Sequence, residues 1–530
     1  MDRVSVKDHY IDAATGQLVV HGEPYLIRGV ELHNSTASSA SYLEPLWRRL
    51  KDASVNTVLA PVSWELVEPA EGTFDFSLVD AMLAGAREHG LRLVLLWFGS
   101  WKNASSSYTP AWVKLDPDRF PLQSNAAGRP LDNLSPFSET NRRADAAAFA
   151  AFMDHLATAD DRERTVIMVQ VENEVGLLGA ARSYGPDAEA AWAAPVPSPL
   201  VRALRKVATA HVSAPAGQEE PTWEELLGDP DRKAELFMAW HYAEYVQHVA
   251  EAGAARHDVP LFVNAWLDSI VPQDSHPATM AVGGGSAPGV FPSGGPLPHV
   301  SAAWKLAAPA ISFLAPDVYF GDFEIPFDGY ARTNTTLFVP EMRADSHGIS
   351  HAFLPIGKYR GIGVALFGFD SVPVSETKDA LRTFTQLAVL EKEILRAQVQ
   401  DRIRAFRIVG ADEQRISLGR YEFVVRGHSR REGAAGYGLL IQRDEDTFVT
   451  AGHGFTLEFS PVDGNATAIL EADELVGHEG ELIAQRRLNG DETYAGSQIR
   501  IADDPDRMHG FMLTSGTLSG VVRFSLYTRG

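Results

Sequence analysis

Continuous apolar runs rich in β-branched residues alternate with amphipathic stretches from residue 25 to residue 397. In one amphipathic stretch, Val79, Met82, Leu83 and Ala86 recur at helical spacing, and Gly90 follows them as a helix stop. This alternation is typical of a parallel sheet covered by helices. The apolar runs predict strands at 25–32, 56–62, 91–97, 164–171, 260–264, 311–317, 336–340 and 363–368. Eight such strands predict a (β/α)8 TIM barrel.

The pattern changes near residue 400, where the apolar runs become shorter and Gly and Asp turns separate them. Val522, Phe524 and Leu526 alternate with polar neighbours, which is typical of an antiparallel sheet with one face in water. A helix over 376–397 is the last one expected in the barrel. The sequence therefore predicts a barrel domain over 1–399 and a smaller antiparallel β-sandwich over 400–530.

Composition narrows the range of partners. The 530 residues include 69 acidic and 47 basic side chains, so the formal net charge is −22. This charge argues against nucleic acids and anionic membranes and fits a neutral substrate. The chain has no cysteine, which excludes disulfides and cysteine nucleophiles. Residues 1–10 lack the apolar core of a signal peptide, and no long apolar run predicts a membrane span, so we expect a cytoplasmic protein. Its oligomeric state, a homo-oligomer included, stays open.

Two of the predicted strands lead directly to carboxylates. The fourth runs into Asn173 and Glu174, and the seventh runs into Glu341. Two carboxylates at one rim of a barrel are the minimal equipment for cleaving a glycosidic bond, one as proton donor and one as nucleophile or base. Retaining enzymes hold the pair about 5–5.5 Å apart, and inverting enzymes hold it about 6.5–9.5 Å apart. The sequence leaves this separation open.

Three segments resemble the family 35 β-galactosidases of glycoside hydrolase clan A. The segment 172–176 resembles the Glu-Asn-Glu-Tyr-Gly motif of that family, with Val175 in place of the tyrosine. The segment 64–76 resembles the family's tryptophan and Glu-Pro…Gly…Phe-Asp-Phe pattern, with Glu65 where many members have Asn, and 97–103 resembles a bacterial branch with a C-terminal β-domain. The resemblance implies that Glu174 is the acid/base and Glu341 the nucleophile. The family's Gly-Pro-Tyr signature after strand three is absent.

Other polar and aromatic side chains near the predicted strand ends are candidates for contact with a sugar. Asn173 is expected to bind the 2-hydroxyl group, whose contact strengthens in the transition state. Trp101 is expected to stack on a pyranose face, with barrel packing as its alternative, and Tyr319 to orient Glu341, together with Arg28. The remaining candidates, for which loop or surface roles are the alternatives, are Glu31, His33, Glu65, Lys102, Asn103 and Asp370.

Taken together, these features predict a retaining exo-β-glycosidase acting on oligosaccharides, with β-galactosidase as the favoured activity. A β-glucosidase or a transglycosylase is the alternative within this class, and a non-catalytic sugar-binding barrel is the alternative outside it. No cofactor or metal is expected, because the histidines show no ligand spacing and 283–285 lacks the context of a phosphate loop. The loop 268–299 should open on the same rim as the two carboxylates.

Overall fold

The computed structural model describes residues 9–207, 211–215, 217–268, 285–410, 412–427, 434–462, 466–478, 481–488, 490–503 and 517–528. Eight strands form a closed, all-parallel barrel in chain order. They are β1 (Ile27–Glu31), β2 (Thr57–Ser63), β3 (Arg92–Lys102), β4 (Val166–Asn173), β5 (Leu261–Trp266), β6 (Phe313–Val318), β7 (Phe338–Arg343) and β8 (Gly363–Phe367). Each of the eight predicted strands overlaps one of these, so the TIM barrel is confirmed.

Helices connect successive strands and cover the outside of the barrel. The main ones are α1 (Ala40–Asp52), α2 (Ser77–Glu88), α3 (Glu139–Ala159), α4 (Pro230–Ala254), α5 (Ser301–Ala307), α6 (Glu324–Thr333), α7 (Phe353–Gly357) and α8 (Lys378–Val399). Short helices lie at Trp64–Val67, Ala111–Lys114, Pro186–Ala193, Ser198–Arg205, Trp223–Leu226 and Ser346–Ile349. The periodic residues of α2 are buried, as their spacing predicts. No helix in the described ranges is long and apolar enough to cross a membrane.

Small antiparallel sheets accompany the barrel. Three strands precede it (His9–Ile11, Leu18–Val20 and Glu23–Tyr25), and a pair (Leu122–Ser124 and Pro130–Leu134) lies between β3 and α3. Leu18 and Val20 belong to the same buried cluster as the apolar residues inside the barrel. They therefore close the barrel on its N-terminal side, which leaves the carboxyl ends of the strands for a site.

The C-terminal region consists of two antiparallel sheets. Their strands are β9 (Ile403–Val409), β10 (Glu413–Leu418), β11 (Tyr421–Gly427), β12 (Ala435–Gln442), β13 (Thr447–His453), β14 (Phe455–Pro461), β15 (Thr467–His478), β16 (Glu481–Arg487), β17 (Gln498–Ile501) and β18 (Val521–Thr528). The six-stranded sheet has the order β9-β12-β13-β18-β15-β16, and the four-stranded sheet has the order β10-β11-β14-β17. Both contribute to one apolar core, in which Phe423 meets Phe448 and Phe524. The boundary at 399/400 stays a prediction.

Candidate active site

The alternation of side chains along the barrel strands creates the site. Ile27, Phe262, Phe313 and Ala365 lie in the apolar cluster inside the barrel. Because side chains alternate along a strand, later residues of the same inward rows also face the interior. Those rows end at the carboxyl rim, where they carry polar and aromatic groups: Glu31, Asn264, Asp317 and Phe367. The inward rows therefore pass from an apolar floor to a polar rim.

Glu174 and Glu341 meet at this rim. Glu174 directly follows β4, Glu341 lies in β7, and both are buried. An oxygen of Glu174, one of Glu341 and one of Asp317 all lie within 4.8 Å of one another. The backbone of Glu174 is left-handed, with φ at 46°, so the chain turns sharply where the strand ends. L-residues rarely adopt this conformation, and it is common at functional sites.

Three donors converge on the Glu341 carboxylate. Tyr319 Oη donates to Oε2 at 2.6 Å, while Asn173 Nδ2 and Asn264 Nδ2 donate to Oε1 at 3.2 and 3.1 Å. Hydrogen bonds of this kind stabilise the ionised form of a carboxylate. The predicted contact of Tyr319 with Glu341 is confirmed, whereas the one expected from Arg28 is wrong. Arg28 lies on the outward row of β1 and pairs with Glu391 of α8.

Glu174 has a different environment. Its backbone N–H donates to Asn264 Oδ1 at 3.0 Å. Burial, followed by the charge of Glu341, raises the pKa of the Glu174 carboxyl group to about 8, although Lys102 acts in the opposite direction. The raised pKa suits Glu174 to donate a proton near neutral pH, whereas Glu341 is the group that holds three hydrogen-bond donors.

Lys102 links the ends of β3 and β4. Its Nζ donates to Asn173 Oδ1 at 2.9 Å and lies 4.9 Å from the ring centre of Phe98, inside the barrel. Burial lowers the pKa of Lys102, but the surrounding carboxyl groups, led by Glu341 and Glu174, outweigh it and raise the pKa. Because Lys102 occupies Oδ1 of Asn173, the Nδ2 of that side chain is directed at Glu341.

Two further carboxyl groups face Glu174 and Glu341. Glu31 is fully buried, and its carboxyl group is in side-chain contact with Glu341. Asp317 accepts from Asn264 Nδ2 at 2.7 Å through Oδ2, and its carboxyl group is in side-chain contact with Glu174. Burial, followed by the charge of Glu341, raises the pKa of both carboxyl groups well above the usual range. Neutral carboxyl groups can both donate hydrogen bonds to sugar hydroxyls and accept them.

The same geometry bears on metal binding. Glu174, Asp317 and Glu341 are the one group in the described residues that could supply three ligands to an ion. A cation would require ionised carboxylates, whereas burial raises the pKa of Glu174 and Asp317. Glu341 also already accepts three hydrogen bonds. The donor set therefore fits a polyhydroxylated ligand better than a metal ion.

Trp101 does not face the pocket, so the predicted stacking on a sugar is wrong. Its ring is fully buried, donates from Nε1 to the Leu134 carbonyl oxygen at 3.2 Å, and contacts Tyr242 and Tyr245 of α4. The register of β3 against β4 is irregular between Trp97 and Lys102. Strand alternation nevertheless places Trp101 on the outward row of Trp97 and Lys102 on the inward row of Phe98.

The remaining candidates lie around the edge of the site. His33 Nδ1 and Asp370 Oδ1 are 3.0 Å apart, and Thr36 donates to Asp370 Oδ2 at 2.6 Å. Both oxygens of Asp370 therefore organise the loop after β1, and the expected sugar contact is not supported. Glu65 pairs with Lys114 at 3.1 Å near the surface and lies outside the contacts around the catalytic pair. Asn103 has a left-handed backbone, and its buried Oδ1 has no partner among the described residues, so its role stays a prediction.

Three residues of the site were not predicted: Asn264, Asp317 and Phe367. The Phe367 ring lies between His33 and Tyr319, with centroid distances of 5.1 and 6.1 Å. It also lines a groove of about 720 Å³ that extends outward to the segment 371–379. The loop 268–299 is described only in part, because 269–284 lie outside the described residues. In the described part of the loop, Ser293 forms a β-bridge with Leu177, which lies just after Glu174. This part of the loop therefore lies at the rim.

Comparisons with known proteins agree with this picture in part. Residues 38–227 match the model of glycoside hydrolase family 42, described as beta-galactosidase, and residues 381–500 match a domain of unknown function (DUF5597). The match supports a glycoside hydrolase, and the resemblance to family 35 specifically is not confirmed. The comparison with curated proteins gives no significant match.

Several solved structures are similar to this chain at low identity. The catalytic domain of a β-amylase from Paenibacillus polymyxa has a TM-score of 0.46 at 13% identity, covering 67% of this chain and 96% of its own. The β-galactosidase from Bacillus circulans sp. alkalophilus has a TM-score of 0.44 at 13% identity, with 70% of this chain and 57% of its own covered. The β-galactosidase from the psychrophilic Marinomonas ef1 has a TM-score of 0.43 at 12% identity, with 70% and 61% covered. This chain therefore spans less than two thirds of either β-galactosidase.

Proposed function

We propose that this protein is a retaining exo-β-glycosidase that removes terminal sugars from oligosaccharides, with β-galactosidase as the favoured activity. Glu174 is the acid/base and Glu341 the nucleophile in this proposal. The main support is that these two buried carboxyl groups lie close together at one rim of the barrel. Glu174 has a raised pKa, and Glu341 accepts hydrogen bonds from three donors. The family match over 38–227, described as beta-galactosidase, supports the choice of glycone.

The separation of the pair favours retention over inversion. Nearest oxygens within 4.8 Å of each other fit the carboxyl separation of about 5–5.5 Å in retaining enzymes. Inverting enzymes need about 6.5–9.5 Å to admit a water molecule between the base and the sugar.

The reaction then follows two displacements. In the first, a Glu341 oxygen attacks the anomeric carbon, the glycosidic C–O bond breaks, and Glu174 transfers its proton to the departing oxygen. In the second, Glu174 takes a proton from water as the water oxygen attacks the same carbon. The bond to Glu341 breaks, the sugar leaves with its original β configuration, and both carboxyl groups regain their starting forms.

The other groups at the rim would bind the sugar. Asn173 is positioned by Lys102 to reach the 2-hydroxyl group beside Glu341. Glu31 and Asp317, whose raised pKa values favour the neutral acid, would hydrogen-bond ring hydroxyls. The groove beyond His33 and Phe367 has space for the rest of an oligosaccharide. Location in the cytoplasm and the oligomeric state stay predictions.

A panel of aryl β-glycosides tests the activity and its specificity. Galactosyl, glucosyl, fucosyl and arabinosyl donors should show the highest kcat/KM with the galactoside. Preference for the glucoside, or sugar-to-sugar transfer in place of hydrolysis, would favour the alternative enzymes. Absence of turnover on every donor would leave a sugar-binding barrel, which equilibrium binding of the same sugars would detect.

Two substitutions test the roles. Glu341→Ala should lose most activity, and azide should restore part of it by giving an α-glycosyl azide, because the small anion occupies the vacated space. Glu174→Ala should keep turnover on dinitrophenyl glycosides, whose leaving group needs no proton, and azide should give the β product. Glu71→Ala is the matched control, because Glu71 is an exposed partner of Arg119. Near-normal rates on oligosaccharides in both variants would refute the assignment.

The stereochemistry has its own test. An NMR time course of hydrolysis should show the β-sugar first, followed by slow mutarotation. Early appearance of the α-sugar would exclude double displacement.

A further inference from the structure

A second pair of carboxyl groups lies buried behind the catalytic pair. Glu172 belongs to β4, two residues before Glu174, and Asp145 projects from α3. Both side chains are completely buried. The reaction proposed above uses neither of them directly, so their burial requires a separate explanation.

Asp145 is surrounded by donors. Its Oδ1 accepts from Trp97 Nε1 at 2.9 Å, and its Oδ2 accepts from the Ser100 backbone N–H at 3.0 Å. Tyr245 Oη lies 3.5 Å from Oδ2 and shares a hydrogen bond with the Ser100 hydroxyl. Indole and backbone N–H groups can only donate, so Asp145 must accept at both of its oxygens.

Glu172 shares the backbone donors of the same segment, Trp101 N–H and the Ser100 N–H that also binds Asp145. Its Oε2 accepts from the Trp101 backbone N–H at 2.7 Å, whereas Oε1 has no donor among the described residues. The two carboxyl groups are in side-chain contact. A Cβ atom added at Gly99 would lie 2.7 Å from both Asp145 Oδ1 and Glu172 Oε1, so these oxygens converge on the same glycine.

Two charged carboxylates in contact in a dry interior repel each other strongly. A proton on Glu172 converts this repulsion into a hydrogen bond from Glu172 to Asp145. Burial and then Asp145 raise the pKa of Glu172 well above its usual range, in agreement with this protonation.

We infer that Glu172 is a positioning residue for the turn that carries Asn173 and Glu174. As a neutral acid, it donates a hydrogen bond to Asp145 and accepts one from the Trp101 N–H, and these two bonds fix the turn. Three successive residues of this turn are held by the segment that ends β3. Trp101 N–H binds Glu172, Lys102 Nζ binds Asn173 at 2.9 Å, and Ala104 N–H binds the Glu174 carbonyl oxygen at 3.1 Å.

The backbone explains why this turn needs holding. Glu172 and Glu174 both have left-handed backbones, with φ of 63° and 46°. L-residues adopt this conformation only where the surrounding structure imposes it. Without the contacts of Glu172, the turn should relax toward an ordinary strand and move the Glu174 carboxyl group away from the leaving oxygen. The inference rests on the proposed acid/base role of Glu174.

Substitutions that differ only in hydrogen-bonding capacity test the proton assignment. In Glu172→Gln, the amide NH2 replaces the acid proton toward Asp145 and the amide oxygen still accepts from Trp101, so kcat/KM should stay within about 3-fold of the wild type. In Asp145→Asn, the amide NH2 must face either Trp97 Nε1–H or the Ser100 N–H, so two donors collide. Glu172→Leu removes both bonds. The last two variants should lose about 100-fold in kcat, the loss typical of a catalytic group displaced by about 1 Å.

Dependence on the leaving group separates positioning from a general loss of structure. If Glu172 positions the acid, the kcat/KM of Glu172→Leu, which reports the first displacement, should fall about 100-fold on a methyl or alkyl β-glycoside. On a dinitrophenyl β-glycoside, whose leaving group needs no proton, it should fall less than about 10-fold. Glu235→Gln is the matched control, because Glu235 is an equally buried glutamate that contacts His299 away from the pair. It should leave the ratio of the two rates unchanged.

Several outcomes would overturn the inference. An active Asp145→Asn with an inactive Glu172→Gln would place the proton on Asp145. Equal losses of Glu172→Leu on both substrates would indicate a structural role only. Failure of Glu172→Gln to fold would also count against it, because the amide satisfies both proposed bonds. If the wild type hydrolyses no glycoside, the proposed function fails, but the proton on Glu172 can still be tested by infrared spectroscopy. The wild type should show the C=O band of a protonated carboxyl group, and Glu172→Gln should lack that band.

Discussion

The charge of Glu341 should control the protonation of Glu174, and neutralising it is the most direct test of the proposed division of labour. Glu341→Gln removes one negative charge and keeps the shape of the side chain. The pKa of Glu174, about 8 in the wild type, should then fall, because Glu341 is the largest charged contribution that raises it. It should remain above the ordinary glutamate value, since burial is the larger cause and does not change.

The size of the fall follows from the geometry. The nearest oxygens lie within 4.8 Å. Two unit charges at that distance interact with roughly 3.5 kcal/mol at an effective dielectric constant of about 20. At about 1.4 kcal/mol per pH unit, this interaction corresponds to roughly 2.5 pH units. Each charge is spread over two oxygens, so the mean separation is longer and the expected decrease is about 2.

The assay is a carbon-13 NMR titration of protein labelled at the side-chain carboxyl of glutamate. The Glu174 resonance is identified as the one that disappears in Glu174→Gln. Its midpoint should lie near 8 in the wild type and near 6 in Glu341→Gln, about 2 pH units lower.

Glu65→Gln is the matched control, because it removes the same charge from a half-exposed carboxylate paired with Lys114. Solvent screening should leave the Glu174 midpoint within about 0.3 of the wild-type value. An unchanged midpoint in Glu341→Gln would refute the argument that the two carboxyl groups are coupled. An equal decrease of the Glu174 midpoint in Glu65→Gln would show that the effect comes from the overall charge of the protein.

Further predictions concern neighbouring groups. The kcat/KM of the wild type should fall as pH rises through about 8, where Glu174 loses its proton. Lys102→Met should move this decline to higher pH, because Lys102 lowers the pKa of Glu174. A pH–rate profile in which the decline stays in place or moves to lower pH would contradict this. Tyr319→Phe should lower kcat about 10- to 100-fold, because Glu341 loses the donor at 2.6 Å, and steady-state kinetics that show an unchanged kcat would exclude that role. Trp101→Ala should lower the free energy of unfolding by about 3–5 kcal/mol and leave KM nearly unchanged, because the ring packs against α4. Denaturant titration measures the first effect and kinetics of the folded variant measure the second. A raised KM would indicate that the ring contacts the sugar after all.

The strand-end rule that found Glu174 and Glu341 also applied to residues that were not singled out. Asn264 and Asp317 close the predicted strands 260–264 and 311–317, and both contact the catalytic pair. A consistent reading of polar residues at strand ends would have included them. The same holds for Trp101 and Lys102, which are adjacent in sequence and face different layers. Strand alternation puts Trp101 on the row of the buried Trp97 and Lys102 on the row of Phe98, so the outward direction of Trp101 could have been predicted.

The sequence by itself determined the eight strands, the helices between them and the place of Glu174 and Glu341 at strand ends. These features follow from local periodicity, because burial on both faces requires continuous apolar runs and a helix requires one apolar face. Only the tertiary structure decided which polar groups share an environment. The raised pKa of Glu174, the three donors on Glu341 and the contact of Glu172 with Asp145 all join residues from distant segments. Desolvation and charge interactions depend on distance in space, which only barrel closure and the packing of helices on the barrel establish.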